Sequence, residues 1–84
     1  MNVRVTIRLV LYKSEMDVDF PDGTTVEKAL IHVAGLADER VHGLMFNSRG
    51  RPIVLTLVNS RSVTTAATLK DGDHLVILAN VTGG

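Results

Sequence analysis

Leu69-Lys70-Asp71-Gly72-Asp73-His74-Leu75-Val76-Ile77-Leu78-Ala79 is the stretch on which the architecture turns. Asp71-Gly72-Asp73 is turn chemistry, because Asp accepts local backbone bonds and Gly takes positive φ at little cost. The run that follows is apolar on both parities, as expected of a central strand covered on both sides. Its neighbour is found at the N-terminus. Val3, Val5, Ile7, Leu9 and Leu11 alternate with Arg4, Thr6, Arg8 and Tyr12, only Val10 interrupting a period of two. Lys13-Ser14-Glu15 reads as a polar break, after which Met16, Val18 and Phe20 alternate with Asp17 and Asp19. Strands over 3–11 and 16–20 therefore form an antiparallel hairpin, closed off by the turn residues Pro21-Asp22-Gly23.

Thr24 and Glu27 have the spacing of a capping box, and Val26, Ala29, Leu30 and Val33 recur on one helical face. With Gly35 as a stop, the spacing predicts a helix over 25–34. Residues 36–52 are less regular: a helical turn from Leu36 to Val41, the short apolar run Gly43-Leu44-Met45-Phe46, and a loop from Asn47 to Pro52. Ile53 to Val58 is a β-branched-rich strand. Asn59-Ser60-Arg61-Ser62 is a turn, and Ser62-Val63-Thr64 has the makings of a short strand.

This order predicts the α+β class, with a mixed four- to five-stranded sheet packed on one helix. Strand 3–11 is expected parallel to 74–79 and antiparallel to 16–20. The expected core is Val5, Ile7, Leu9, Val18, Phe20, Val26, Leu30, Val33, Leu55, Leu57, Leu75 and Ile77. If Leu75 and Ile77 point at the helix, Val76 and Leu78 point away from it. Val54 and Val58 are expected to join that outer face, with Arg61 at its rim, as a surface for a partner.

Composition limits what such a domain does. Its 84 residues allow one domain, and 45% hydrophobic with 21% charged residues is a globular balance. There is no cysteine, which removes disulfides, Cys-ligated metal and thiol nucleophiles. The formal net charge is zero, unlike a typical nucleic-acid binder. No run approaches the ~18 apolar residues of a membrane span. The start of the chain has no signal-peptide layout, so a cytoplasmic protein with neither nucleic-acid nor membrane partners is expected.

His32, His42 and His74 share no metal-ligand spacing. Asp17 and Asp19 fall on one strand face, either as a carboxylate pair or as the solvated side of an edge strand. No acidic residue lies between Arg40 and Lys70, a span that also carries Arg49, Arg51 and Arg61. It is either a docking surface for an acidic partner or an ordinary solvated face. Gly83-Gly84 follows the last strand after a short tail. Glycine is common at frayed ends, but a tail without Cβ atoms also threads a narrow channel and presents its carboxylate to another enzyme.

At that point the chain resembles the ubiquitin-like, β-grasp sulfur carriers, the family of the molybdopterin synthase small subunit and the thiamin sulfur carrier. Residues 69–78 followed by Val81-Thr82-Gly83-Gly84 match the family's LKDGDxVxxxPPVxGG ending, at the same distance from the end. Leu57-Val58-Asn59-Ser60-Arg61 resembles its VNGR strand end. Ala79-Asn80 replaces the family's proline pair, and Asn59-Ser60 replaces Asn-Gly. The resemblance implies a single domain over 1–84 with a flexible tail over 80–84. It implies a carrier rather than an enzyme, holding no cofactor or metal of its own. A partner similar to ubiquitin-activating enzymes would adenylate the Gly84 carboxylate with ATP, and a sulfide equivalent would convert it to a thiocarboxylate. Gly83 would allow close approach, and Val81 and Thr82 would contact the partner along with the sheet face. The sulfur would pass to an acceptor enzyme of the molybdopterin synthase large-subunit or thiazole synthase kind, in cofactor biosynthesis. The same tail equally fits a ubiquitin-like modifier joined to lysines through Gly84, and the fold alone fits an interaction module.

Overall fold

The computed structural model describes residues 1–80. Strand β1 (Asn2–Leu9) is followed by β2 (Tyr12–Asp19), helix α1 (Val26–Leu36), helix α2 (Glu39–Met45), β3 (Val54–Val58), β4 (Arg61–Ser62) and β5 (His74–Ala79). The five strands form one sheet in the order β2-β1-β5-β3-β4. β1 runs parallel to β5, Val5 beside Leu75 and Ile77 beside Ile7, and antiparallel to β2. β3 pairs antiparallel with β5. The two most apolar strands are thus adjacent in the centre, as their patterns require.

The hairpin turn lies earlier than its polar residues indicate. Leu9 pairs with Tyr12, so Val10-Leu11 is a two-residue turn and Lys13-Ser14-Glu15 belongs to β2. Leu11 adopts φ 62° and is 102% exposed. A left-handed Leu costs about 1–2 kcal/mol, which glycine or asparagine would avoid. The β3–β4 turn is similar. Asn59 and Ser60 have φ 51° and 70°, so the Asn-Ser pair holds the doubly left-handed geometry that Asn-Gly ordinarily occupies.

Helix α1 begins one residue later than the capping-box reading. Thr25 is the cap, its Oγ1 accepting from the Lys28 amide at 3.3 Å, while the Thr24 hydroxyl donates to the Pro21 carbonyl at 2.6 Å. The Val26 and Glu27 amides donate to the carbonyls of Ala67 and Thr65, so the 63–69 segment satisfies the first turn. Gly35 lies inside the helix rather than ending it. A second helix, α2, exists where only a turn was expected, capped by Asp38, whose carboxylate accepts from the Arg40 amide.

Val26, Ala29, Leu30, Val33 and Ala34 of α1 form one buried cluster with Val3, Val5, Ile7, Leu9, Leu75 and Ile77 of the sheet. Val41, Met45 and Phe46 belong to the same cluster, which places α2 on the same side as α1. The structure reverses the expected parity of β3. Thr56 is the buried residue, Leu55 is 47% exposed and Leu57 is half-buried. Thr56 is tolerated inside because its hydroxyl donates to the Val63 carbonyl at 2.9 Å. Leu55 and Leu57 therefore leave the expected core. Leu30 is fully buried, so Leu30→Ala is expected to cost about 2–5 kcal/mol. Urea unfolding of the two proteins measures this, and a loss under about 0.5 kcal/mol would contradict the packing.

Candidate functional site

The parity of β3 decides what the outer sheet face presents. Residues paired across strands share a face. Leu78 pairs with Leu55 and Arg8, and Val76 pairs with Leu57 and Thr6. Val76, Leu78, Leu55 and Leu57 thus form one apolar patch on the face away from the helices. Val54 and Val58, expected there, instead pack partly buried against the core. Arg61 pairs with Val58 and so follows the inward parity, rather than rimming Val76 and Leu78. Thr56 is the residue that conceals this register. Its hydroxyl reads as outward polarity in an otherwise apolar strand, whereas its bond to Val63 lets it face inward.

The patch is bordered by charge on one side. Arg8 pairs with Lys13, Thr6 with Glu15 and Arg4 with Asp17. The Arg4 guanidinium lies 3.2 Å from Glu15 and 3.5 Å from Asp17. Asp17 and Asp19 therefore do not act as a pair: Asp17 answers Arg4, and Asp19 accepts from the Asn2 side chain at 3.4 Å. The histidines are dispersed. His32 meets Phe20 edge-on, His42 stacks on Phe46, and His74 Nε2 lies 2.7 Å from the Thr6 hydroxyl. Among the described residues, no cluster of three or more His, Asp or Glu side chains is placed to hold a metal.

The turn before β5 is a structural lock. Asp71 accepts from the Asn2 amide at 2.7 Å, and the Gly72 amide donates to the Asn2 carbonyl at 2.8 Å, with Gly72 at φ 82°. Asp73 accepts from the Lys70 amide and from the Asn59 side chain, each at 2.8 Å. The His74 amide in turn donates to Asn59 Oδ1 at 2.9 Å. This network fixes the start of β5 against β1 and the β3–β4 turn, and so fixes where β5 ends. Asp73→Ala leaves the solvent-exposed Asn59 amide and Lys70 N–H without their acceptor, at an expected cost of about 0.5–1.5 kcal/mol. A thermal melt checks this; an unchanged midpoint would mean solvent replaces the network.

Because β5 is parallel to β1, the chain leaves the sheet at the end that carries the Val10-Leu11 turn. Helix α2 and the Asn47–Arg51 loop lie at that end too, since Val54 pairs with Ala79 and the Ile53 amide donates to the Met45 carbonyl. A cleft of about 280 Å³ there is lined by Val10, Leu11, Tyr12, Asp38, Arg40, Val41 and Leu44. The Arg40 guanidinium bonds Asp38 at 3.0 Å and holds its carboxyl below the usual range, so both charges of the cleft are mutually satisfied. Asp38 has the lower pKa when folded, so whatever stability it lends is present above its unfolded value and fades as pH falls. Gly83, Gly84, Val81 and Thr82 lie outside the described residues, as does most of the expected tail over 80–84.

The family model for the ThiS family matches residues 6–84, nearly the whole chain and including Gly83-Gly84. The chain belongs to the ThiS family. Its fold is that of SAMP1 from Haloferax volcanii, with a TM-score of 0.84 at 21% identity over 100% of both chains. Urm1 from Trypanosoma brucei matches with a TM-score of 0.66 at 18% identity, over 99% of this chain and 97% of that one. A third similar structure is the complex of subunits 1 and 2 of the molybdopterin-converting factor from Helicobacter pylori. It has a TM-score of 0.65 at 20% identity, with both chains fully covered. No curated protein sequence matches at a significant level. The expected ubiquitin-like β-grasp fold and the sulfur-carrier family resemblance are thus both found. The described residues contain no helix long and apolar enough to cross a membrane.

Proposed function

We propose that the chain is a sulfur carrier acting through the carboxylate of Gly84. The observation that supports this most is the family match running through Gly83-Gly84, directly after a strand that the Asp71–Asp73 lock holds in place. In the proposed cycle a carboxylate oxygen of Gly84 attacks the α-phosphorus of ATP in a ubiquitin-activating-like partner, releasing pyrophosphate. The acyl adenylate that forms is electrophilic where the carboxylate was not. Hydrosulfide, or a donor delivering it, adds to the acyl carbon and AMP leaves, giving the thiocarboxylate. The carrier supplies no base, metal or nucleotide site in this scheme. Its own part is to dock and to place one carboxylate, with Gly83 permitting close backbone approach. Val76, Leu78, Leu55 and Leu57 form the docking patch, Leu55 exposed and the other three half-buried, since a contiguous apolar face that solvent still reaches on a small protein marks an interface.

The sulfur then passes to an acceptor enzyme in cofactor biosynthesis. One such pairing is supported by the Helicobacter pylori complex of molybdopterin-converting factor subunits, which has this fold in one of its partners. A modifier joined to lysines through Gly84 is the second reading, supported by the likeness to a small archaeal modifier protein of Haloferax volcanii, with a TM-score of 0.83. Recovery of the tagged chain from its own cells separates them. A carrier is recovered as a free chain bearing a thiocarboxylate. A modifier is recovered as ladders that yield Gly-Gly-lysine peptides after digestion.

A further inference from the structure

We infer that the Val10-Leu11 turn is a second docking element, with Leu11 inserting into an apolar pocket at the mouth of the activating enzyme's tail-accepting channel. The inference rests on the proposed carrier reading, and its first support is the turn itself. Leu11 sits in the left-handed region, where a non-glycine residue is disfavoured and asparagine or glycine would serve better. It is also 102% exposed, and Val10 beside it is 55% exposed. Neither local geometry nor burial accounts for leucine here, and strained positions of this kind collect at ligand-contacting sites.

The second support is the length of chain beyond the sheet. Only Asn80 to Gly84 separate β5 from the reacting carboxylate. Five residues span at most about 17 Å when extended. A carboxylate on so short a tether reaches an enclosed active site only if the end of the domain abuts the channel mouth. The parallel pairing of β1 with β5 puts the Val10-Leu11 turn at that end. Leu11 forms one wall of the cleft there, and Val41 and Leu44 form another, with Leu44 39% exposed. The charges lining this cleft, Asp38 and Arg40, bond each other at 3.0 Å, so among the described residues no unpaired charge stands between the apolar side chains of Leu11 and Leu44 and an apolar rim.

The test is ATP–pyrophosphate exchange by the activating enzyme of the same cell, with the carrier concentration varied. Leu11→Asn and Leu11→Gly are expected to raise KM for the carrier at least about tenfold, as loss of an interface anchor does. Their thermal midpoints are expected to equal or exceed that of the native chain, because the turn is relieved. Leu11→Met, which keeps an apolar anchor, is expected to stay within about twofold of native. Lower affinity with higher stability is a pairing that a merely structural residue does not produce. A Leu11→Asn chain with native KM overturns the inference while leaving the carrier reading standing. A raised KM with a lowered midpoint also overturns it, by assigning Leu11 to the fold. Absence of exchange with the native chain removes the carrier reading and the inference with it.

Discussion

Deletion of Gly84 is expected to abolish adenylation by the activating enzyme while leaving the fold unchanged. One residue shortens the reach of an extended tail by about 3.5 Å. Misplacement of a reacting group by even ~1 Å costs about a hundredfold in rate, so the expected loss is at least that large. Adding one alanine after Gly84 shifts the carboxylate outward by the same distance and puts a Cβ next to the reacting carbon, with a similar expected loss. Every described element, and every described member of the buried cluster, lies before Gly84. Urea midpoints of both variants are therefore expected within about 0.5 kcal/mol of native. Exchange activity measured beside circular dichroism checks both halves. Native-like exchange by the shortened chain would mean that the carboxylate of Gly84 is not the reacting group.

Leu78→Asp is expected to weaken binding to the activating enzyme by at least about thirtyfold, the scale of a central interface residue. Leu78 lies mid-patch, between Leu55 and Arg8. A carboxylate there remains solvated in the free protein, because this face is open, and is desolvated only on docking. The contrast is Ile77→Asp. Ile77 is fully buried on the helix side of the same strand, so that change buries a charge without a partner and is expected to unfold the domain. Titration calorimetry with the activating enzyme, after circular dichroism has shown the Leu78→Asp chain folded, measures the first effect. Leu55→Asp is expected to behave like Leu78→Asp, whereas Val54→Asp, at a half-buried position on the helix side, is expected to lower stability less than Ile77→Asp does and to leave affinity for the activating enzyme native. Native affinity in the folded Leu78→Asp chain would remove the sheet face from the docking surface.

The paired outcome at Val54 and Leu55 marks where sequence pattern stops being informative. In β1 and β2 one parity is charged, so Arg4, Arg8, Asp17 and Asp19 declare the outer face without structure. Ile53 to Val58 has no charged parity, and its one polar residue, Thr56, points inward because Val63 offers its hydroxyl a carbonyl. Register in such a strand is set by its partner β5, not by its own pattern. The hairpin turn was misplaced for a related reason. Val10-Leu11 has no turn chemistry, and the polar Lys13-Ser14-Glu15 mimicked a break. Helix α2 is seven residues with Gly43 inside it, too short for a periodic signal; it exists because Val41 and Met45 bury in the same cluster as the α1 face. By contrast the parallel centre, the hairpin order and the tight turn before β5 were legible. There hydrophobic run, turn residues and capping pointed the same way. The family ending was legible as well, although its Asp and Gly residues serve the lock at Asn2 and Asn59 rather than chemistry. In the proposed reading, Val76 and Leu78 of that ending serve docking and the glycines after β5 carry the reacting carboxylate.

The most direct measurement is the intact mass of the chain after incubation with its activating enzyme, ATP and a sulfide donor. Exchange of one terminal oxygen for sulfur adds about 16 Da, and fragmentation is expected to place the whole increment on Gly84. An unchanged mass, in a reaction where the enzyme is active on ATP and the chain is folded, would contradict the assignment of this protein as a sulfur carrier.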